Sequence, residues 1–554
     1  MSVNYFYKTI KGKKYLYVGE TKRVDGKLKR IWQKYLGTAA RLNGVLNSQI
    51  PKELESIGYG LPASLLEINK SIGFVDAVDK HAPKRKQGLS VGEHMLIDII
   101  NRIDDPVSKN ALGKWFSKTI LRNIFNVSPS YLSSQDFWNH WEYLGEEQLE
   151  SIQTELLPKL IRGVDLKELF YDPTNFTTYI KEHGKPRNGK RKPCDLAKFG
   201  HPKNGLRGLR QINLALFVTK DDGIPLWHST YEGEVNDVTF FKEFMNSLVK
   251  KLAIFSRECE HITLVFDKGN NSRDNLEMSD DFFYLGSLAP SQHRKLLEID
   301  VKEYEIKHKS TSGEMVIAHH LKKKVFGREM DVVITYNEKT AYNQKKRMER
   351  RRVKGKKYME DAMLKLNTAR WTDRDTVMLR INTNLTKKHA NDLIWWKLTE
   401  KSKQLQLEYH EKKEVIEINE KSFGKNILFT DNKSLKPFEI IDAYHAKWVV
   451  EYAIKRLKNH HTISLSPQHC WTDRSIRVHA FTCVMALTFL SLLEKKVDDK
   501  DIRGSVLLTY LKGIRQGLVL MPHKRKIIPI IEKRDAVQRK LYQILNLEAY
   551  EKIR

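Results

Sequence analysis

The sequence predicts an α/β protein whose sheet-bearing core is interrupted by a long basic segment and preceded by a mostly helical region. Three observations carry this. Apolar or β-branched runs of strand length cluster between residues 166 and 266. Residues 91 to 161 instead show helical periodicity. From about 290 to 430 the chain turns polar and basic before regular patterning resumes. At 554 residues it exceeds what one core serves, since domains mostly run to roughly 50–250 residues. The expected division is an N-terminal basic and helical region over 1–160, a core over 161–290, an insertion over 291–430, the rest of the core over 431–500 and a helical tail over 501–554.

Along the chain, Phe6 to Leu36 alternates short apolar and basic stretches around Gly19 and Gly26, which suits a small β-hairpin unit. Val91 to Ile103 and Gln135 to Leu144 read as helices; in the second, Phe137, Trp138, Trp141 and Leu144 fall at helical spacing after the cap candidates Ser133 and Ser134. Glu146 to Ile161 continues with Leu149, Ile152, Leu156 and Leu160 on one face. Leu169-Phe170-Tyr171 then runs into Asp172, and Ile212 to Val218 and Leu226 to Tyr231 form two strands around the turn Asp221-Asp222-Gly223. Asp237 opens a helical pattern carrying Phe240, Phe241, Phe244, Leu248 and Leu252, and the strand His261 to Phe266 ends at Asp267. Strand, strand, strand, helix, strand, with an acid on the first strand and another at the tip of the fourth, is the order of an RNase H-like (ribonuclease H superfamily) core. A plain α/β domain is the alternative.

The interruption holds Lys345 to Lys357, where nine of thirteen residues are Lys or Arg, and a segment from Lys397 to Glu420 dense in Lys and Glu. After Ile427 to Thr430, Pro437 opens one long helix through Lys458. Val478 to Leu493 falls short of the roughly 20 residues of a membrane span and contains His479, so it reads as a buried core helix. Ile527 to Leu547 reads as a helical tail that would pair subunits.

Lys and Arg number 97 against 68 Asp and Glu, a net +29 that points to a polyanionic partner, nucleic acid before an acidic membrane surface. The helical N-terminal third then reads either as a DNA-end-binding domain or as plain core around its aromatic stripe; no helix-turn-helix signature stands out. Lys185 to Lys192 reads as a DNA clamp or as a solvated loop. Cys194, Cys259, Cys470 and Cys483 lie far apart, without metal-ligand or disulfide spacing, and read as buried thiols of a reducing compartment. Met1 to Lys13 has no apolar signal region, so the expected location is the cytoplasm, associated with the nucleoid.

Asp172 and Asp267 sit within or end apolar β-runs, where a carboxylate is costly unless it meets a cation. The third acid lies on the helix. At about 100° per residue, Lys447, Glu451 and Lys458 fall roughly 60°, 20° and 40° from Tyr444, all on one stripe. Alone, that stripe reads as a solvated face with a Lys447–Glu451 pair.

Together these residues resemble the DDE transposases of prokaryotic insertion sequences, in the group with a Y-x2-R-x3-E-x6-K signature. Tyr444, Glu451 and Lys458 fit it, and Lys447 stands where Arg is usual. Asp172-Pro173-Thr174 looks like the group's D-x-T strand and Asp267-Lys268-Gly269 like its D-x-G. Asp222 to Leu226, Gly233 to Asp237, Leu285 to Leu288 and Arg474 to Ala480 are similar to the group's usual text. The resemblance implies that Asp172, Asp267 and Glu451 hold two Mg²⁺ ions, which Mn²⁺ can replace, for in-line cleavage of element ends and joining to target DNA. Tyr444, Lys447 and Lys458 would grip phosphates, and Trp448 or Trp395 would stack on a flipped base, although Trp448 reads equally as core. Two double-stranded DNA ends imply a homodimer, with no role for a membrane. A structure-selective nuclease or resolvase of the same fold, or a non-catalytic DNA-binding descendant, are the competing readings.

Overall fold

The computed structural model describes residues 2–47, 51–84, 88–180, 194–203, 205–206, 208–237, 239–241, 244–245, 262–266, 282–290, 292–309, 313, 315–466, 470–521 and 527–551. The chain divides into two compact units, one of Met1–Ile152, Asn459–Ser464 and Phe481–Arg554, the other of Gln153–Lys458 and Leu465–Ala480.

The first unit opens with an antiparallel meander of β1 (Ser2–Ile10), β2 (Lys13–Val24) and β3 (Lys27–Gly37). A third strand joins the expected hairpin because Asp25 and Gly26 both adopt positive φ, 51° and 74°, as a two-residue hairpin turn requires. Strand β4 (Glu53–Gly58) follows. Helix α1 (Val91–Asp104) starts on a capping box in which the Ser90 hydroxyl accepts from the Glu93 N–H and the Glu93 carboxylate accepts from the Ser90 N–H. The aromatic stripe is core: Phe137 and Trp141 are 1% exposed, and the Lys109 ammonium lies 4.0–4.6 Å from the ring centroids of Phe137, Trp138 and Trp141.

The second unit is built on a nine-stranded sheet. Its strands are β5 (Glu168–Thr178), β6 (Arg210–Thr219), β7 (Pro225–Glu232), β8 (Thr263–Val265), β9 (Phe283–Leu288), β10 (Ile306–Lys309), β11 (Met315–Val325), β12 (Arg328–Tyr336) and β15 (Lys425–Thr430). They run in the order β10-β11-β12-β15-β9-β8-β5-β6-β7. Only β5–β8 and β8–β9 are parallel; the remaining neighbours are antiparallel. Every residue of β6 is buried, as expected for a continuous apolar run deep in a sheet.

The 291–430 interruption is narrower than expected. Strands β10 to β12 and β15 extend the sheet itself; in β11 the buried Val316, Ala318 and Val325 share the strand with His319, His320 and Lys322 to Lys324, whereas in β12 Met330 to Thr335 form one continuous buried run. Residues 337–424 leave the sheet. They form α2 (Glu338–Lys365), α3 (Arg374–Lys387) and the hairpin β13 (Ile394–Lys401)–β14 (Gln404–Glu411). Their core includes Met359, Val377, Ile381, Leu385, Ile394 and Leu407. Gly355 lets the hairpin approach α2: a Cβ there would sit 2.5 Å from Ile394 Cδ1 and 2.8 Å from Ala390 Cβ.

The expected helix from Pro437 to Lys458 is two helices, α4 (Pro437–His445) and α5 (Trp448–Leu457). At the junction the N–H groups of Lys447, Val449 and Val450 donate three residues back, to Tyr444, Ala446 and Lys447. This tighter turn spoils the constant 100° step assumed from sequence. Helix α6 (Asp473–Val497) is long and apolar enough to cross a membrane by length and composition, yet 89% of its most apolar window is buried in the protein, as a core helix is. The C-terminal tail also differs from expectation. Its Ile-rich run forms β17 (Ile527–Ile531), paired with β16 (Arg515–Leu520), which pairs in turn with β4; helix resumes over Ala536–Ile544. β-branched residues favour that pairing over helix.

Candidate active site

Asp172 lies mid-strand in β5, half-buried and opposite Leu216 of β6. The strand around it is braced from two sides. The Lys458 ammonium donates to Thr174 Oγ1 and to the Asn175 carbonyl, each at 2.7 Å. Lys203 donates its ammonium to the Pro173 carbonyl and its backbone N–H to Asn175 Oδ1 at 3.2 Å, while Asn175 Nδ2 donates to the His201 carbonyl at 3.0 Å. Lys203 also pairs with Asp237 at 3.0 Å, whose other oxygen accepts from the Tyr231 hydroxyl at 2.6 Å. Burial and the neighbouring Lys203 charge hold the Lys458 ammonium below the usual lysine range, against the opposing pull of Asp172.

Strand β8 runs parallel to β5, with Leu169 facing Leu264 and Phe170 facing Val265. That register stops two positions short of Asp172 on one strand and of Asp267 on the other. Asp267 itself, with Lys268 and Gly269, lies outside the described residues, as do Leu248, Leu252, Cys259, the Lys185 to Lys192 cluster and His523 to Lys526. Among the described residues, no group of three His, Cys, Asp or Glu is placed to share a metal ion.

Glu451 rides on α5, which packs against β5 and β6. Its carboxylate is 58% exposed and pairs with Lys447 at 3.4 Å, the i,i+4 pair expected from sequence. The Lys447 ammonium also lies 5.7 Å from the Tyr444 ring centroid. Tyr444 donates its hydroxyl to Ser287 Oγ of β9 at 2.8 Å. The structure therefore gathers Tyr444, Lys447 and Glu451 into one cluster and sends the Lys458 ammonium to the Asp172 strand.

Trp448 is 60% exposed rather than core, and tilts against Tyr452 with centroids 6.3 Å apart. Trp395 is partly exposed and stacks on His410 at 4.6 Å. Cys194, Cys470 and Cys483 are buried.

A model of the transposase DDE domain matches residues 169–489, more than half of the chain. The chain belongs to the transposase DDE domain family. No curated protein sequence matches it. Among solved structures, a piggyBac transposase synaptic complex with hairpin DNA aligns over 88% of this chain and 80% of its own, at 9% identity and a TM-score of 0.37. A Mos1 transposase paired-end complex with the left transposon end aligns over 35% of this chain and 59% of its own, at 13% identity and a TM-score of 0.14.

Within the transposase domain, sequence reasoning missed three residues that organise this neighbourhood. Lys203 is one. Asp473, at the start of α6, accepts from the Cys194 thiol at 3.0 Å and from the N–H groups of Asp195 and Leu196 at 3.1 and 3.0 Å. Burial first, and then this carboxylate, push the Cys194 thiol up to about 12. Arg477, one helical turn on, donates to the Thr230 carbonyl and hydroxyl at 2.7 and 3.0 Å. Only Arg474 to Ala480 as a block had drawn notice, and no local spacing ties it to residues more than 240 positions away.

Proposed function

We propose that this protein is the transposase of a prokaryotic insertion sequence, which cuts the ends of its element and joins them to target DNA through Asp172, Asp267 and Glu451 on an RNase H-like core. The supporting observation is the seating of the Glu451 helix on the Asp172 strand, beside a parallel strand whose register leads toward Asp267. Carboxylate oxygens are the hard donors that Mg²⁺ or Mn²⁺ prefers, and a half-buried carboxylate on β5 together with an exposed carboxylate on the helix packed against that strand fits such ions chemically. Asp172, Asp267 and Glu451 would hold two ions, which supply charge stabilisation and an activated oxygen nucleophile for in-line phosphodiester chemistry.

The protein's own groups orient the reactants. Tyr444 and Lys447 position the DNA backbone beside the acids, Lys458 fixes the Asp172 strand and offers its charge to the same phosphates, and exposed Trp448 stacks on an unpaired base. The N-terminal region supplies further DNA contacts. Its meander carries ten Lys and Arg against two acids and leaves Tyr5, Tyr7 and Trp32 exposed. Two copies bring two DNA ends together on nucleoid DNA in the cytoplasm.

The test is a cleavage and strand-transfer assay on labelled DNA bearing the ends that flank the gene, with Mg²⁺ or EDTA, comparing wild type with Asp267→Ala. Metal-dependent cutting and joining, both lost in the variant, is the expected result. Cutting without joining would replace this reading with a nuclease or resolvase, and binding without either reaction would leave a DNA-binding protein.

A further inference from the structure

Helix α2 carries the most basic stretch of the chain, and the structure splits that stretch in two. One part is used internally: Arg352 and Lys356 both pair with Glu411 of β14, at 2.9 and 3.0 Å, which pulls the Glu411 carboxyl down to about 2. Arg351 grips both oxygens of Asp392 at 2.6 Å. These three pin the helix to the hairpin side.

The other part faces outward. Arg347, Arg350, Lys354 and Lys357 are exposed and form no ion pair with an acid among the described residues. They follow one another at three- and four-residue steps, so they share a stripe about 140° from the buried side marked by Met348, Gly355 and Met359. Lys387 and Lys388, at the end of α3, face them across a groove of about 680 Å³ whose lining holds seven Lys and Arg against one acid, Asp361. The Lys388 ammonium rests 5.2 Å from the Tyr358 ring centroid.

Solvated helix faces normally alternate charge at i,i+4. Here Arg347 meets Arg350 at i,i+3, Arg350 meets Lys354 at i,i+4 and Lys354 meets Lys357 at i,i+3, like-charge neighbours that each cost a few tenths of a kcal/mol. A helix that carries such repulsion along one stripe, while its opposite side is carefully neutralised, has the electrostatics of a polyanion-binding surface. From Arg347 to Lys357 the stripe extends about 15 Å, the length of four to five phosphates of one strand at about 3.4 Å per step.

We propose that the α2–α3 groove is a second DNA-binding site, which holds the phosphate backbone of duplex DNA independently of sequence. It rests on the reading of DNA as the substrate and assigns one stretch of that substrate to residues 347–388. Backbone capture of this kind carries no base information and adds affinity that salt weakens.

The test is the salt dependence of binding between the full-length protein and a fluorescein-labelled 30-base-pair duplex of arbitrary sequence, read by anisotropy in EDTA. Three proteins are compared: wild type, Arg347→Gln/Arg350→Gln/Lys354→Gln/Lys357→Gln, and the charge-keeping Arg347→Lys/Arg350→Lys/Lys354→Arg/Lys357→Arg. At roughly 0.9 per phosphate contact, the glutamine variant should lower the log–log slope by about 3 to 4 and the affinity by at least tenfold, whereas the charge-keeping variant should retain both. An unchanged slope in the glutamine variant overturns the proposal. Should that variant melt early, Arg350→Gln and Lys354→Gln singly decide, each expected to lower the slope by about 0.9. Cleavage of element ends by wild type is scored separately: cutting with an unchanged slope sinks only the groove, and a lowered slope without cutting sinks only the chemistry.

Discussion

The Asp172 strand and the Glu451 helix present the same functional group in opposite settings. Asp172 sits in a strand whose next three residues are held by two lysine ammonium groups and a side-chain amide. Glu451 stands 58% exposed with a lysine at 3.4 Å. The first arrangement fixes a carboxylate before anything binds; the second leaves one able to adjust its rotamer when a cation and a phosphate arrive. Exposed ion pairs contribute at most about 1 kcal/mol, whereas stripping the donor from buried acceptors costs about 1–3 kcal/mol for each group left unpaired. Mutations on the two sides should therefore divide between activity and stability in different ways.

The largest expected effect leaves the two sides equal. Asp172→Ala and Glu451→Ala should each lose DNA cleavage by about a thousandfold or more, the equivalent of several kcal/mol of charge stabilisation. Retained cleavage in either variant would remove that acid from the catalytic set. Lys458→Met separates the two sides. It leaves Thr174 and Asn175, 4% and 5% exposed, without their donor, so the urea midpoint should fall by the equivalent of about 2–4 kcal/mol, with cleavage falling alongside. An unchanged midpoint would mean that the brace is dispensable.

A smaller effect probes how dry the strand side is. His228 of β7, buried in the same sheet, has its pKa lowered to about 3 by desolvation. The unfolded chain takes up its proton near 6.5 and the folded chain does so only near 3, so this group removes stability as pH falls through that interval. The slope should approach 1.4 kcal/mol per pH unit. Urea unfolding at pH 7, 5.5 and 4.5 should show that loss in wild type and a shallower one in His228→Gln; parallel profiles would place water at the site.

The smallest effect is on the helix side. Lys447→Met should shift the urea midpoint by less than about 0.5 kcal/mol while slowing cleavage, and Lys447→Arg should speed cleavage by offering a planar fork to a phosphate. A large stability loss in Lys447→Met would make the pair structural and erase the contrast with Lys458.

Much of this was legible in order. Strands β5 to β8, the Asp221 to Gly223 turn, the Ser133 cap and the core role of Phe137 and Trp141 follow from local pattern and appear where the pattern puts them. Strands β10 and β11 did not, because histidines and lysines fill much of both, and only Val316, Ala318 and Val325 of β11 are buried. The break at Ala446 and Lys447 did not either, since neither residue is a helix breaker and the turn is stabilised by three-residue hydrogen bonds that composition does not encode.

By itself the sequence determined the chain's local periodicities, its net charge of +29 and the spacing of Tyr444, Lys447, Glu451 and Lys458, because each is a property of neighbours along the chain. Tertiary structure alone decided that Lys458 turns to β5, that Lys203 braces the same strand, that Asp473 captures residues 194–196, and that one basic run divides into paired and unpaired halves. Those outcomes depend on donors and acceptors tens to hundreds of residues apart, and an ammonium group binds whichever carbonyl or carboxylate the fold brings within 3 Å.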